Sequence, residues 1–411
     1  MEKIILNNNV PLIIKENEQT PRIALCLYMG FNKKETYAGE ISLIKTLLFQ
    51  GTKTKSGEEL ATILEENGIE CYVSSTKDYL CFKILCLNED FKFALGILND
   101  IVFNSTFDEF EKEKNKIKGE ILSDLDSPQI MAFDEFSKNI FLNHPYGNTR
   151  SKILEEIDNI TKENVKAYYE QILNNSKKNI IVVGDFKEIG GKENLKNLIE
   201  NNFNELSTSE FKQDFESPVL DTRKVITKTK KDVAQAQIIQ GWIFPPLSHP
   251  DSSVIRVMNT ILGASGLSSR LFYELREKKG LAYDVRSNYD TFKQCGCLWL
   301  YIGTNPANIQ TAIDGFKTEI DKMKNNHVSE EELIGGKNNI LGKRQFILEP
   351  NIQQASSMGL YELIGVGYDF EETYQNRIKE VSAEDIKRAA NEYFTENYIL
   401  YALAPNVKIK L

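Results

Sequence analysis

The sequence predicts an α+β protein of two similar domains, and three observations carry that expectation. The chain has 411 residues, and at about 100–200 residues per domain it can build two or three separate cores. One order of elements, paired strands followed by helices and closed by a buried strand, runs through residue 206 and recurs after residue 222. Between the two runs lies "STSEFKQDFESPVLDT", residues 207–222, which is polar, contains a proline and has no sustained period, as an interdomain linker should. The expected division is 1–206, a linker at 207–222, and 223–411.

The opening, "MEKIILNNNVPLIIKENEQTPRIALCLYMGF", has short alternating apolar runs that suit two strands. "GEISLIKTLLFQGT", residues 39–52, reads as a helix that is apolar except for Ser42, Lys45 and Thr46. Their i, i+3, i+4 spacing sets a hydroxyl, an ammonium and a second hydroxyl side by side on one face, either a site for a metal or substrate or simply a wet face. "IECYVSST" and "YLCFKILCL" are rich in β-branched, aromatic and Cys residues around the turn-like "KD" and read as an antiparallel pair. Residues 90–102 and 107–125 have apolar positions three or four apart and read as helices. A helical region from about residue 127 to 173, interrupted by "NHPYGNT", leads to "KKNIIVVGDF", a buried strand ending in a turn. After the linker, "AQAQIIQGWIF" is strand-like, "SVIRVMNTILG" and "SSRLFYELREKKG" are helical, and "LAYDVRSNY" and "CGCLWLYIGT" are strands. Helices follow, and "YILYALAP" closes this half as "NIIVVGDF" closes the first. The recurrence points to duplication at the level of fold, without visible repetition of residues.

A net charge of -9 argues against nucleic acid, which needs a concentrated basic face, and leaves neutral or basic peptides as easier partners. The start lacks a charged leader with a continuous apolar core, and no stretch approaches 18 uninterrupted apolar residues, so the expectation is a cytoplasmic protein without a membrane span. The six cysteines, Cys26, Cys71, Cys81, Cys86, Cys295 and Cys297, lie mostly in apolar strand-like segments, where a reduced thiol behaves as a small hydrophobe. Cys295 and Cys297 form a C-G-C pair, but no second pair or nearby His completes four metal ligands.

In the second half, "SRLFYELREKKGLAYDV" ends its helix on Lys278 and Lys279, favourable at the negative end of the dipole, with Gly280 as a left-handed stop. Arg276 and Tyr283 are then fixed on either side of one tight corner. A guanidinium beside a phenol makes an oxyanion clamp; the plainer alternative is Arg276 paired with a surface carboxylate and Tyr283 as half-buried packing.

"GLSSRLFYELREKKGLAYDVRSNY" closely resembles the second-domain signature of the insulinase/pitrilysin family, the inverted zincins that include the mitochondrial processing peptidase. The resemblance extends over nearly the whole chain: "LFQGTKTKSGEELATILEENGIECYVSSTKDY" is similar to the stretch after the family's metal helix, "NHPYGNT" to its turn, "IVVGDF" to its domain-closing strand and "VMNTILGASGLSSRL" to its second-domain loop. It implies two domains, each an antiparallel-rich sheet with helices packed on one face, hinged as a clamshell. It also makes "GASG", residues 263–266, a turn rather than a phosphate cradle.

The family motif H-x-x-E-H supplies two zinc-ligating His and a general base, completed by a downstream Glu. Aligned back from "LLFQGT", it falls on "SLIKT": Ser42 and Thr46 stand where the His would be and Lys45 where the base would be. The further ligand position falls on Glu120, and Glu113 matches another family acid. Hydroxyls are poor zinc ligands, an ammonium repels the cation, and protonated Lys45 cannot take a proton from water. His144, His249 and His327 offer no i, i+4 pair. No metal or other cofactor is therefore expected in this chain, and a Lys45–Glu120 ion pair in the vacated position is weighed against two solvated groups.

Arg276 and Tyr283 match the family's arginine/tyrosine pair, to which the resemblance assigns substrate binding and transition-state support. Some bacterial members divide the work between a chain with the zinc motif and a chain with only the Arg/Tyr motif, and this sequence has the second pattern. The implied role is a non-catalytic, substrate-binding subunit of a heterodimeric zinc endopeptidase, with zinc in a sibling partner that has an intact H-x-x-E-H. Cys71, Tyr72, Val73, Ser74 and Ser75 resemble the edge strand on which the family docks peptides, with an ordinary hairpin strand as the alternative. The other functional reading is a peptide-binding or scaffold homologue without peptidase activity, as a homodimer. A peptidase active by itself ranks last.

Overall fold

The computed structural model describes residues 1–407 and residue 409. Among them the strands are β1 (Glu2–Ile5), β2 (Pro11–Glu16), β3 (Arg22–Gly30), β4 (Glu70–Ser75), β5 (Tyr79–Leu87) and β6 (Lys178–Gly184), then β7 (Lys224–Thr229), β8 (Ala236–Phe244), β9 (Ala282–Thr291), β10 (Gly296–Thr304) and β11 (Ile399–Ala404). The helices of the first half are α1 (Glu40–Leu47), α2 (Gly57–Glu66), α3 (Phe91–Asn104), α4 (Phe110–Leu125), α5 (Pro128–Ile140), α6 (Arg150–Glu156), α7 (Lys162–Asn175) and α8 (Gly191–Phe203). Those of the second half are α9 (Ser252–Asn259), α10 (Ile309–Asn325), α11 (Glu330–Ile347), α12 (Asn351–Ile364), α13 (Phe370–Glu380) and α14 (Ala383–Tyr393). The opening segment holds three strands rather than two, because the turn at residues 7–9 splits its first apolar run.

One sheet has the order β1-β2-β6-β3-β5-β4 and the other β7-β11-β8-β10-β9. Apart from the extra β1, the two orders match strand for strand, including one parallel pair in each, β2 with β6 and β7 with β11. The expected pair β4/β5 is antiparallel, in register Val73 to Phe82.

The structure divides into two units that are not contiguous in sequence. The first is Met1–Glu120, Lys152–Phe215 and Phe346–Glu371; the second is Ile121–Ser151, Glu216–Gln345 and residues from Glu372 on. The division expected at 207–222 separates the two sheets but not the helices that cover them. All but the first residue of β3 is buried, which requires cover on both faces of the sheet. In the first unit α3 and α7 pack against this sheet, and α12 packs on β3 and β6 although it comes from the second half of the chain. There Ala355, Met358 and Leu363 bury Ile13, Cys26, Tyr28, Ile181 and Val183. In the second unit α5, from the first half, lies on β8 and β11.

Glycine makes both approaches possible. A side chain on Gly359 of α12 would collide with the Tyr28 ring, and one on Gly241 of β8 with Phe136 of α5. Tyr28 donates its hydroxyl proton to Ser356 O at 2.7 Å, and Asn179 Nδ2 donates to Gly359 O at 3.1 Å. Lys177 Nζ donates to Glu362 O and Leu363 O at 2.9 and 3.0 Å, a cation on the last carbonyls of α12 before Gly365 turns at φ +90°.

The segment read as a linker is docked at its start. Ser209 N donates to Ser176 O at 3.1 Å, Lys212 N to Asn32 Oδ1 at 3.0 Å and Gln213 Nε2 to Asp78 Oδ1 at 2.9 Å, and Phe211 packs on the Tyr28 cluster. Fully buried Lys178 holds it from below, donating to Ser207 O at 2.7 Å, and burial lowers that ammonium to about 8. Further along, Val219 is 82% exposed.

A single cut next to Val219 should therefore leave both halves associated, because each carries a helix that belongs to the other half's sheet. Size-exclusion chromatography of the nicked protein should give one species of the uncut size, and residues 1–218 expressed alone should bind a hydrophobic dye. Halves that separate without denaturant would contradict the exchange of α5 and α12.

Candidate functional site

Helix α1 begins without a capping side chain of its own, because its N-cap is Gly39 at φ +113°. Three carboxylates from outside the cap position satisfy its entry instead. Glu35 Oε1 accepts from Gly39 N at 3.2 Å and Ile41 N at 2.8 Å, Glu156 Oε2 from Ala38 N at 2.7 Å, and Glu40 Oε2 from Thr36 N at 2.9 Å. Glu35 thus meets donors at the helix start itself, while Glu156 and Glu40 fix the turn that leads into it, all near the positive end of the dipole. Glu40 is 1% exposed, and its burial, together with Glu35 and Glu156 nearby, outweighs the backbone N–H bonds and raises its carboxyl to about 7. Sequence reading missed this cage, whose members are spread from residue 35 to residue 156.

Leu43, Ile44 and Leu47 of α1 are buried, while Ser42, Lys45 and Thr46 form one half-open stripe. Thr46 Oγ1 donates to Leu43 O at 3.1 Å, so this hydroxyl is tied to its own helix. Glu113 and Glu120 both lie on α4, two turns apart. Glu113 is buried, with Oε2 lacking a hydrogen bond and 3.8 Å from Lys116 Nζ. Glu120 is exposed. The suggested Lys45–Glu120 ion pair is not formed, and the physical reason is the exposure of Glu120: water satisfies the carboxylate that a buried position would have forced to find a cation.

These residues do not fit zinc. Among the described residues no group of three or more His, Cys, Asp or Glu side chains is placed to hold a metal ion. One hydroxyl of the stripe is already engaged, and the ammonium between the two hydroxyls opposes any cation.

Arg276 and Tyr283 are brought together. The helix carrying Arg276 is π-wound over Phe272–Glu277 rather than α-helical, a form enriched at functional positions. It ends where expected, with Gly280 at φ +59° and Leu281 N donating to Leu275 O at 2.9 Å. The guanidinium lies between two rings, with Cζ 4.6 Å from the Phe272 centroid and 4.5 Å from that of Tyr283, and Nη1 donates to Tyr283 O. The plainer reading holds in one half only. Arg276 Nε does meet a surface carboxylate, Glu277, at a long 4.0 Å, but Tyr283 is 80% exposed rather than half-buried packing. Stacking and the carbonyl bond fix the guanidinium and leave other N–H groups for a ligand.

Cys71, Tyr72, Val73, Ser74 and Ser75 lie on β4, the edge of its sheet, hydrogen-bonded on one side only, to β5. Among the described residues these five make no other backbone hydrogen bond. The opposite edge β1 carries Glu2 and Lys3, and β7 carries Lys224 and Lys228, charges that discourage strand addition; β4 has only Glu70 at its start. The remaining residues that the sequence singled out are structural. His144 Nδ1 accepts from Tyr146 N at 3.1 Å, and Nε2 bonds Glu216 O at 3.0 Å. "GASG" straddles a π-helical end, where a side chain on Gly263 would collide with Ser287. Cys297 is fully enclosed, and burial pushes its thiol far up. None of the six cysteines is joined in a disulfide.

Residues 10–178 match the family profile described as insulinase (peptidase family M16), and residues 159–340 match that of the peptidase M16 inactive domain. Two profiles of one family, in order, thus cover residues 10–340 between them. The chain belongs to the insulinase (M16) family. Among its relatives, an uncharacterized zinc protease of Bacillus subtilis, YmxG, is 26% identical over 99% of this chain and 98% of its own length. Another, from Rickettsia felis, is 26% identical over 88% of this chain and 87% of its own. The solved structure of a peptidase M16 inactive domain from Pseudomonas fluorescens superposes with TM-score 0.88 at 19% identity, covering 100% of this chain and 99% of that one. A protease from Helicobacter pylori does so with TM-score 0.88 at 22% identity, covering 98% and 99%. These two structures establish the fold, two similar α+β domains.

In this M16 chain the Glu40 carboxyl gives a signed pH dependence. A carboxyl raised from an ordinary value near 4.5 to about 7 costs the folded state nothing below the unfolded value. Stability is lost as pH rises from 4.5 to 7 and levels off above. Glu40→Gln, which keeps an acceptor for Thr36 N, should match wild type near pH 4.5 and exceed it by up to about 3 kcal/mol at pH 8, read as the gap between thermal unfolding midpoints. A gap independent of pH would remove Glu40 as its source.

Proposed function

We propose that this M16 chain is the non-catalytic, substrate-binding subunit of a heterodimeric zinc endopeptidase acting on peptides. One contrast carries the reading: the stripe Ser42, Lys45 and Thr46 has lost the groups a metal needs, while Arg276 and Tyr283 are held ready for a ligand. A chain with no remaining part in peptide chemistry has no need to stack a guanidinium between two rings beside an exposed phenol.

In this role zinc resides in a sibling partner with an intact H-x-x-E-H. β4 takes the peptide as an added strand, through main-chain hydrogen bonds that tolerate many side chains. Arg276 and Tyr283 meet the carbonyl oxygen of the bond being cut, and their N–H and O–H groups stabilise the negative charge that develops there. A reducing, cytoplasmic setting suits six thiols without a disulfide, and among the described residues no helix is long and apolar enough to cross a membrane.

The test is reconstitution with the sibling chain. Arg276→Ala and Tyr283→Phe should each lower turnover of a peptide substrate by about a hundred- to a thousand-fold, the cost typical of one lost oxyanion donor, with the complex still eluting intact. Variants that cleave as fast as wild type would overturn the assignment of both residues. A homodimer that binds peptides and cleaves none, with or without a sibling, would favour the scaffold reading.

A further inference from the structure

We infer that the Ser42–Lys45–Thr46 stripe is itself a binding site, for a carboxylate on the docked peptide. This rests on the proposed docking of a peptide along β4. Helix α1 packs against β4, the edge strand, and its half-open face is Ile41 with the stripe; the proposed site places a segment added outside β4 along that face.

The stripe's chemistry selects the ligand. Lys45 carries three donors and no acceptor. Among the described residues neither Lys45 nor the Ser42 hydroxyl makes a hydrogen bond or ion pair. Thr46 spends its proton on Leu43 O and keeps acceptor capacity only. The carboxylates closest in sequence, Glu35 and Glu40, are engaged with backbone N–H groups at the start of α1, as is Glu156. Exposed Glu120 forms no ion pair with Lys45. What remains is an unneutralised cation with a hydroxyl donor one turn away on the same face, a match for the two oxygens of a carboxylate. The net charge of -9 disfavours acidic peptides in general, so the stripe selects one acidic group in an otherwise neutral segment. That group is either an Asp or Glu side chain or a terminal carboxylate.

The probes are fluorescein-labelled decapeptides of Val, Thr and Ser, capped at both ends, with a single Asp moved along the sequence, each paired with its Asn counterpart. A second set exchanges the terminal amide for a free carboxylate. Fluorescence anisotropy with the full chain should give an acid-over-amide preference of about tenfold at one placement, as one charge-assisted hydrogen bond supplies. Lys45→Met should reduce that preference below about twofold, and Lys45→Glu should transfer it to a Lys at the same placement. Preference for an internal Asp identifies a side chain as the source, and preference for the free terminus identifies the chain end.

Should either variant unfold, salt gives the same reading on wild type, since the preference should fall steeply as ionic strength rises. A preference below twofold in wild type, or one that survives Lys45→Met or high salt, overturns the inference. Peptides N-methylated at alternate amides separate this from the docking reading. If they lose binding while acid and amide bind alike, strand docking stands and the carboxylate site falls. If no peptide binds at all, both fall.

Discussion

Helix α1 is fixed by carboxylates that accept its opening N–H groups, and what its open face can do follows from that position. Glu35 and Glu156 reach residues 38–41 from outside the helix, and Glu40 reaches back to Thr36. Leu43, Ile44 and Leu47 anchor the other side in the core. The half-open stripe is therefore displayed rigidly, and its composition decides its chemistry. The ammonium repels a divalent cation, and two neutral hydroxyl oxygens are weak ligands beside imidazole or carboxylate. In an acidic chain, a cation left without an ion pair on a displayed helix face is poised for an anion instead.

The second constraint is that neither sheet can be finished by its own half of the sequence. β3 is buried on both faces, and one of those faces is closed by α12, which arrives more than three hundred residues later. α5 does the same for the other sheet. Gly359 and Gly241 record the exchange, since each is the point where a side chain would block the approach of the incoming partner. The duplicated strand order thus produces two units that are alike in topology and interleaved in sequence.

Much of this was legible along the chain, and the boundary of legibility has a physical cause. Strand and helix periods, the stop at Gly280 and the i, i+3, i+4 stripe are local, so short windows of sequence carry them. The exchange of α5 and α12 was not legible, because an amphipathic helix does not record which sheet it covers. Nor was the carboxylate cage, whose members join only through the fold, or the docking of Phe211 and Gln213 inside a segment that reads as a linker. The π-winding around Arg276 was missed because its residues are ordinary helix formers. The Lys45–Glu120 pair failed for the same reason as the cage was missed: spacing along a helix gives a face, and only the fold decides whether that face is buried.

In the proposed non-catalytic role, the ammonium at Lys45 is the group that most opposes a metal on α1. Zinc content is the direct measure of that opposition. The purified full chain, equilibrated with excess zinc, dialysed and analysed by mass spectrometry, should retain well under about 0.1 zinc per chain, because among the described residues no set of imidazole, thiolate or carboxylate ligands is placed to replace the cation's water. Retention of about one zinc per chain, lost on Glu120→Ala, would show that the first unit is a metal site after all.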